Sequence, residues 1–419
     1  MKHWILATLF AFSFVTLQAD RYIIKFKEQT EQSQQVQKLT PLVQTSVLKQ
    51  YQTSFHGVLV DLPEDYDLDS LTVNPAVESV TKDKVYALIK PVKRKTGPFS
   101  TLSIESVPTG MLRIGLTHDE LENGEEIEAT IAIIDTGIDM ENSSLNVIDG
   151  KNFVEPHKTP QDGEGHGTHV AGIAAARNDG HGVVGVAPGA KLIALKVLDD
   201  YGYGYFSDII DAVDWVTEHA DEVDVVNMSL GGWGYEELFH QAIQKSIEKG
   251  VVYVVAAGNE SDDISWTEPA SYPEVLTVSA MADTDGIPGG YGKYTTWGDP
   301  DDTLAWFSNY SRYIPENNPV NSPGAGIDVA APGVDIRSTY PGNGTAVMSG
   351  TSMASPHVAG TVARMLAGKS REGRDARYVY AVRQSIIDAA EPQDEWNAVY
   401  DTFDPDPNHE GLLRVDLIQ

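Results

Sequence analysis

Apolar residues recur along this chain of 419 residues with two different spacings. From residue 128 onward, short runs of Val, Ile, Leu and Ala alternate with segments in which apolar residues return every three or four positions. The runs predict strands that are buried on both faces, and the second spacing predicts amphipathic helices. The predicted strands are 129–134, 191–198, 223–228, 251–257, 276–280 and 327–330, and the clearest predicted helices are 207–219 and 377–389. This alternation predicts an α/β fold with a mostly parallel central sheet and helices on both faces.

The first part of the chain has a different pattern. Residues 21–26 and 56–61 alternate between apolar and polar positions, as half-buried strands do, and the Gln-rich stretch between them is a candidate helix. Residues 20 to about 89 therefore predict a small α+β unit. The basic segment 90–95, followed by Gly97 and Pro98, predicts an exposed connection that a protease can cut.

The N-terminus has the features of a secretory signal. Lys2 and His3 precede an apolar stretch at 4–17, and Ala19 offers a small residue for cleavage. The alternative is an uncleaved anchor, but the stretch is short for a membrane span and no later run reaches about 20 apolar residues. We therefore expect removal of residues 1–19, a secreted protein (extracellular or periplasmic), and no stable membrane association.

Charge and cysteine content exclude several classes of function. The net charge is −31, and the acidity is uneven: residues 20–96 contain 11 basic and 10 acidic residues, whereas residues 97–419 contain 18 and 51. Such a surface repels nucleic acid, so no nucleic-acid partner is expected. The chain has no cysteine, which excludes disulfides, thiolate metal sites and a cysteine nucleophile.

The predicted domains are a signal at 1–19, a first unit with its linker at 20–96, and a main domain at 97–419.

Three short motifs contain residues capable of catalysis. Asp135 directly follows the strand 129–134, His166 lies between two glycines where a helix opens, and Ser352 lies at a loop-to-helix junction, where free backbone N–H groups are available. Each has an ordinary alternative. Asp135 and Ser352 are compatible with turns, and His166 with His169 is compatible with half of a metal site, although no third ligand is evident.

Taken together, in the order Asp, His, Ser, the three motifs resemble those of the subtilisin-like serine peptidases. The resemblance covers residues 107–419, and residues 20–89 resemble the inhibitory propeptide of the same family. It implies a subtilisin-like three-layer fold and a secreted serine endopeptidase, made as a self-processing precursor, that hydrolyses peptide bonds through an acyl-enzyme. The propeptide would act as intramolecular chaperone and inhibitor, and the other partners would be protein or peptide substrates of a monomeric enzyme.

The resemblance also implies a role for each matching residue. Ser352 would be the nucleophile, His166 the general base and then acid, and Asp135 the residue that orients and stabilises the imidazolium. Asn259, after a strand end, matches the asparagine that donates to the oxyanion, with the N–H of Ser352 as its partner.

A substrate would bind as an extended strand between two edges of the protein. The edge segments are Gly202, Tyr203 and Gly204 on one side and Ser229, Leu230 and Gly231 on the other. Ala256, Ala257 and Gly258 would line the first specificity pocket, which has room for a large apolar side chain and has Glu260 at its rim. Phe206, Ile209 and Leu230 would line an apolar pocket further along, although ordinary core packing explains Ile209 and Leu230 equally well.

Structural calcium is expected, and no organic cofactor. The loop around Asp179 resembles a family calcium loop, with carbonyls of residues 177, 181 and 183, but Ser144 stands where a carboxylate ligand is expected, which weakens the site. The second candidate is an apparent insertion at 283–302, whose alternative is a solvated acidic loop. Its acidic residues are Asp283, Asp285, Asp299, Asp301 and Asp302.

Maturation is expected between residues 89 and 104, with segment 85–88 held in the active site like a product. Four other functions are alternatives for this sequence. A catalytically inactive binding protein is disfavoured because all four catalytic positions are filled. A related acid peptidase with Glu in place of His is disfavoured by His166, and a furin-type processing enzyme by the missing length for a further β-domain. Esterase side activity is compatible with the same acyl-enzyme.

Overall fold

The computed structural model describes residues 19–27, 36, 39, 41–89, 93–95, 105–311, 326–402, 404–405 and 409–418. They fall into two compact units, one that ends at Asp83 and one that begins at Lys84. Residues 1–18 of the predicted signal, and 90–92 and 96–104 of the predicted connection, lie outside the described residues. None of the helices in the described part of the chain combines the length and hydrophobicity that crossing a bilayer requires.

The first unit is a four-stranded antiparallel sheet with two short helices. Its elements are β1 (Ala19–Phe26), α1 (Pro41–Thr45), β2 (Val47–Tyr51), β3 (Gly57–Pro63), α2 (Asp69–Thr72) and β4 (Val77–Lys82). The strand order is β2-β3-β1-β4. Alternate residues Val58, Val60 and Leu62 of β3 point into one core with Ile24 and Phe26 of β1, as the two-residue period of a half-buried strand requires. The predicted α+β unit is thus confirmed, with two strands more than the sequence pattern indicated.

The second unit contains two short strands that precede residue 97, together with the elements of the main domain. They are β5 (Val85–Leu88), β6 (Lys93–Lys95), α3 (Thr109–Arg113), α4 (His118–Asn123), β7 (Thr130–Asp135), β8 (Asn146–Asn152), α5 (His166–Ala175), β9 (Lys191–Lys196), β10 (Tyr203–Tyr205), α6 (Phe206–Glu218), β11 (Val225–Met228), β12 (Leu230–Trp233), α7 (Glu237–Glu248), β13 (Val252–Ala256), β14 (Thr267–Glu268), β15 (Leu276–Ala282), β16 (Thr303–Leu304), β17 (Val329–Pro332), β18 (Ile336–Tyr340), β19 (Gly344–Ser349), α8 (Thr351–Leu366), α9 (Ala376–Ala389) and β20 (Gly411–Leu412). Two short 3-10 helices lie at Ile264–Trp266 and Gln393–Glu395.

The centre of this unit is a parallel sheet in the order β20-β17-β15-β13-β11-β7-β9-β8. β16 adds to β15 in the antiparallel direction. Every residue of β7, β11, β13, β15 and β17 is buried, which explains why these strands are nearly continuous in apolar residues. The predicted fold class is confirmed. β8 was not predicted, because as the edge strand it contains exposed and polar residues.

The strand order reverses at β7, which is hydrogen-bonded to β9 on one side and to β11 on the other. Such a reversal opens a crevice at the carboxyl ends of the strands, where ligands bind in open α/β sheets. α5 and α8 pack against each other there. A Cβ on Gly360 of α8 would lie 2.6 Å from Cβ of Val186 and 2.9 Å from the carbonyl oxygen of Ala174. Only glycine allows this close approach.

A buried ionic cluster joins the start of the main domain to its end. The guanidinium of Arg113 contacts Asp302 (2.5 Å) and forms a bidentate pair with Glu391 (2.8 and 3.2 Å). Arg414 also donates to Glu391, at 2.6 Å. The Arg113 and Asp302 side chains are fully buried, so removing one partner leaves an uncompensated charge inside the protein.

Replacing Arg113 by Met should therefore destabilise the protein by about 3–5 kcal/mol, which lowers the midpoint of thermal unfolding by roughly 5 °C or more. Calorimetry of Arg113→Met and of the unchanged chain checks this. Arg377→Met is the matched control, because the pair of Arg377 with Asp375 is exposed to solvent and contributes little to stability. Equal midpoints for Arg113→Met and Arg377→Met would contradict the importance of the buried cluster.

Candidate active site

Asp135 is the last residue of β7 and is fully buried. Its Oδ1 accepts a hydrogen bond of 2.7 Å from the backbone N–H of Thr136. The chain then turns at Gly137, whose φ of 103° is in the region that favours glycine. The strand end and the turn fix the carboxylate at the edge of the sheet where the strand order reverses.

His166 is the first residue of α5, and Gly165 before it has a φ of 107°. The imidazole Nδ1 lies 2.9 Å from each carboxylate oxygen of Asp135. A Cβ on Gly167 would lie 2.1 Å from the carbonyl oxygen of Gly137, so only glycine lets α5 approach the end of β7 this closely.

The carboxylate of Asp162, which belongs to none of the three sequence motifs, holds this helix start together. It accepts hydrogen bonds from the backbone N–H groups of Gly165 (2.7 Å) and Thr168 (2.9 Å), and from the hydroxyls of Thr136 (2.9 Å) and Thr168 (2.6 Å). Burial raises the pKa of Asp162 even though these hydrogen bonds favour its charged form. An acidic residue just before a predicted helix was the available signal.

The charge of Asp135 determines the protonation behaviour of His166. Burial alone would lower the pKa of the imidazole, but the negative charge of Asp135 and its hydrogen bond outweigh this and raise the pKa of His166. Nδ1 carries the proton that is shared with Asp135, so Nε2 is the basic atom of the neutral ring. Nε2 is buried and has no hydrogen-bond partner among the described residues.

Ser352 is the second residue of α8 and is fully buried. Its hydroxyl donates to the carbonyl oxygen of Ile89 at 3.2 Å, and the carbonyl oxygen of Ser229 lies at 3.5 Å. Asn259 is anchored beside it, because its Oδ1 accepts from the N–H (2.9 Å) and the hydroxyl (3.0 Å) of Thr351. The amide NH₂ of Asn259 is therefore the donor end, and it lies 3.0 Å from where a Cβ on Gly350 would be.

The two predicted edge segments hold a strand of the chain itself. β5 pairs antiparallel with β10, with Tyr86 opposite Gly204 and Ala87 opposite Tyr203. On its other side β5 pairs antiparallel with β12, with Leu88 opposite Leu230 and Ala87 opposite Gly231. The N–H of Leu88 also donates to the carbonyl of Gly202 at 2.8 Å. All six predicted edge residues thus lie beside β5 or next to Ser352.

Two recesses receive side chains of this strand. A cavity of about 240 Å³ next to Ile89 is lined by Gly258 and Glu260 but not by Ala256 or Ala257, which are buried. The ring of Tyr86 stacks on Phe206, with centroids 5.6 Å apart. Ile209 and Leu230 are fully buried. The pocket of Tyr86 is not wholly apolar, because the phenol donates to the carboxylate of Glu268, a residue for which the sequence offered no signal.

Other cavities and histidines do not belong to this site. A larger cavity of about 740 Å³, lined by Asp224 and Arg371 among others, shares no residue with it. The possible metal pair of His166 and His169 is not formed, since Nε2 of His169 lies 3.2 and 3.1 Å from the carbonyl oxygens of Ile336 and Ala346.

The two predicted calcium sites differ in their geometry. In the first, the hydroxyl of Ser144 donates to Asp179 at 2.9 Å, so a neutral donor occupies an oxygen of the expected ligand. In the second, oxygens of Asp283, Asp285 and Asp301 lie within 4.8 Å of one another. Oδ2 of Asp283 is buried without a hydrogen-bond partner in the described part of the chain, and burial raises the pKa of Asp283 to about 6.

The remaining acidic residues of the predicted second site lie elsewhere. Asp302 pairs with Arg113 and accepts the N–H groups of Gly289 and Gly290. Asp299 accepts from the hydroxyl of Thr295.

The fold, the buried pair of Asp135 and His166 and the strand held beside Ser352 are the features expected of a serine hydrolase. Comparison with known proteins agrees: the Subtilase family pattern matches residues 127–410 and the Peptidase inhibitor I9 pattern matches residues 21–88. The chain belongs to the subtilase family and is a serine endopeptidase of the subtilisin type that carries an N-terminal propeptide domain.

Individual relatives support the same assignment. Subtilisin E of Bacillus subtilis (strain 168) is 33% identical over 355 residues, which is 83% of this chain and 80% of that protein. Subtilisin DY of Bacillus licheniformis is 37% identical over 265 residues, which is 62% of this chain and 85% of that protein. The crystal structure of fervidolysin from Fervidobacterium pennivorans aligns with a TM-score of 0.71 at 28% identity and covers 96% of this chain and 60% of that one.

Replacing Asp135 by Asn should lower the pKa of His166, because the charge that counteracts burial is removed. NMR titration of the imidazole, in protein that also carries Ser352→Ala to prevent self-digestion, measures this directly. Asp149→Asn removes an exposed carboxylate of β8 that accepts a hydrogen bond from the adjacent N–H of Gly150, and serves as control. An imidazole that titrates at the same or higher pH in Asp135→Asn would refute the assigned electrostatics.

Proposed function

We propose that this protein is an exported, self-processing endopeptidase whose catalytic residues are Asp135, His166 and Ser352. Ser352 Oγ attacks the carbonyl carbon of the scissile bond while its proton passes to Nε2 of His166. The imidazolium then gives that proton to the leaving amine, and an acyl-enzyme on Ser352 remains. Water, activated by His166, hydrolyses the ester and restores the hydroxyl.

Two features favour this chemistry energetically. Asp135 keeps the proton on Nδ1 of His166 and offsets the positive charge of the ring during proton transfer. Asn259 supplies its NH₂ group to the oxyanion, and its orientation is fixed by Thr351 before the substrate arrives. A donor held in advance costs no reorganisation at the moment of reaction, which is why such groups contribute about 10²–10³ in rate.

The observation that supports the proposal most is the path of the chain itself across the site. β5 occupies the position of a substrate strand, and the carbonyl of Ile89 accepts the hydroxyl of Ser352. Beyond Ile89, the backbone of β6 pairs with β19, whose last residue Ser349 is opposite Lys93. The exposed linker expected at 90–95 is thus in part a paired strand. The bond after Ile89 is our proposed first cleavage site.

The competing function is an inactive binding protein with the same fold. The hydroxyl of Ser352 donates to the carbonyl of Ile89, Nε2 of His166 is buried without a partner among the described residues, and Thr351 anchors the amide of Asn259. Binding alone does not require these three features. We therefore favour catalysis.

Replacing Ser352 by Ala should leave the precursor uncut, whereas the unchanged chain should release a large fragment that begins at Lys90. Intact mass and N-terminal sequencing identify both products, and casein hydrolysis should fall by at least about 10³-fold in the variant. Ser143→Ala, which removes an exposed hydroxyl bonded to Asn343, is the control and should mature normally. A Ser352→Ala precursor that still cuts itself after Ile89 would rule out the triad.

The proposal also covers export, the propeptide, the oligomeric state and the substrates. Residues 1–19 direct export, residues 20–89 form the propeptide that assists folding and then inhibits, and the acidic main domain acts as a monomer on proteins or peptides outside the cytoplasm. The substrate recess beside Ile89 accepts apolar side chains, and Glu260 at its wall also tolerates Lys or Arg.

We also propose that calcium binds to Asp283, Asp285 and Asp301 rather than at Asp179. Carboxylate oxygens are the ligands that calcium prefers, and the unpartnered Oδ2 of Asp283 gains a counter-charge there. This cation would stabilise the fold and take no part in peptide hydrolysis.

Chelation should therefore lower the midpoint of thermal unfolding by several degrees. A ligand at a free concentration of 100 times its Kd adds about 2.7 kcal/mol to the free energy of unfolding. In Asp285→Asn, the difference between the unfolding midpoints measured with calcium and with chelator should be smaller. Asp388→Asn, at an exposed position in α9, should retain the full difference. If chelator changes neither the unchanged protein nor Asp285→Asn, the acidic loop binds no structural calcium.

A further inference from the structure

The side chain of Tyr86 occupies a closed recess three residues before Ile89, which makes it the fourth residue on the N-terminal side of the proposed scissile bond. It is 5% exposed, and its ring stacks on Phe206 with an angle of 20° between the planes. A Cβ on Gly232 would lie 2.4 Å from the ring, so glycine at this position leaves the space that an aromatic side chain fills.

The end of this recess is a carboxylate and not a hydrocarbon surface. The hydroxyl of Tyr86 donates to Oε1 of Glu268, which is fully buried. Oε2 of Glu268 accepts from the hydroxyl of Tyr272 (2.6 Å) and from the backbone N–H of Glu236 (2.7 Å). Within the described ranges, no Lys, Arg or His forms an ion pair with Glu268. Neutral donors alone therefore satisfy this carboxylate, and the strand in the substrate position supplies one of them.

The protonation of the pair is governed by burial. Burial raises the pKa of Glu268, although the hydrogen bonds from Tyr272 and Tyr86 oppose that effect. Burial together with the charge of Glu268 also raises the pKa of Tyr86. The phenol therefore remains a proton donor throughout the neutral and alkaline range.

We propose that Glu268 is a specificity-determining residue that makes this peptidase select tyrosine over phenylalanine at the fourth position before the scissile bond. Phenylalanine fills the same recess but removes the donor from Oε1, and a buried acceptor without its donor is costly. Sites built to bond a hydroxyl reject the analogue that lacks it far more strongly than apolar pockets reject a missing methylene. The inference rests on the proposed function, because it requires β5 to lie where substrates bind.

The test uses the mature enzyme and a set of peptides that differ at one position. Each has the form Xaa-Ala-Leu-Ile, after residues 86–89, followed by a fluorogenic amide, with Xaa as Tyr, Phe, Leu or Arg. We expect kcat/KM for Tyr to exceed that for Phe by about 10- to 100-fold. Equal values for Tyr and Phe, or a preference for Arg as a partner of the carboxylate, would overturn the proposal.

A variant then assigns the preference to Glu268. In Glu268→Gln the amide oxygen accepts the phenol more weakly than a carboxylate does, so the ratio of Tyr to Phe should fall several-fold. The ratio is measured with one enzyme sample, so the fraction of correctly folded protein cancels. Glu237→Gln is the matched control, since Glu237 is exposed in α7 next to Glu236, and its ratio should equal that of the unchanged enzyme. An unaltered ratio in Glu268→Gln excludes Glu268 as the determinant.

The outcomes also separate this proposal from the proposed function. If Tyr and Phe peptides are cut at equal rates, the peptidase assignment is retained and the proposed role of Glu268 in specificity is contradicted. If none of the four peptides is cut, and casein is also left intact, the catalytic assignment itself is contradicted and the inference falls with it.

Discussion

The buried hydrogen bond between Asp135 and His166 is the contact on which the geometry of the peptidase unit depends. Both side chains are fully buried, so the pair is stable only if its geometry is fixed and its remaining polar atoms are satisfied. Parallel strands on both sides hold β7, which positions Asp135, and the hydrogen bonds to Asp162 position the first turn of α5. Gly167 is required because any side chain there would separate the helix from the strand end.

The same surface that would bind a substrate is occupied by the chain's own segment. β5 bonds to β10 and β12 at once, so neither strand presents an unpaired edge there. The segment therefore blocks access of other peptides to Ser352 while presenting its own carbonyl to that residue. Inhibition and the proposed self-cleavage would thus follow from one set of contacts, and cutting after Ile89 would convert a bound substrate into a bound product.

The strand positions were predictable, and the residues of the proposed catalytic site could be selected, because both depend on local sequence. Buried strands have long apolar runs, and Asp135, His166 and Ser352 lie in short motifs at strand ends and helix starts. Asp162 and Glu268 were not found, because their roles depend on partners distant in sequence, such as Tyr86 for Glu268. The acidic insertion shows the same limit: Asp301 and Asp302 are neighbours, yet one lies near Asp283 and Asp285 and the other pairs with Arg113.

Two buried carboxylates of the proposed catalytic and substrate-binding region have no cationic partner among the described residues. Asp162 is satisfied by hydroxyls and by N–H groups at the start of α5, and Glu268 by two phenols and one N–H group. Neutral donors satisfy these two carboxylates without adding a positive charge beside them. For Asp162 all of these donors come from the main domain permanently. For Glu268 one donor comes from the peptide strand, so the carboxylate is fully satisfied only while a hydroxyl-bearing side chain is bound. Substrate selection at that recess is thus a consequence of how the protein stabilises its own buried charge.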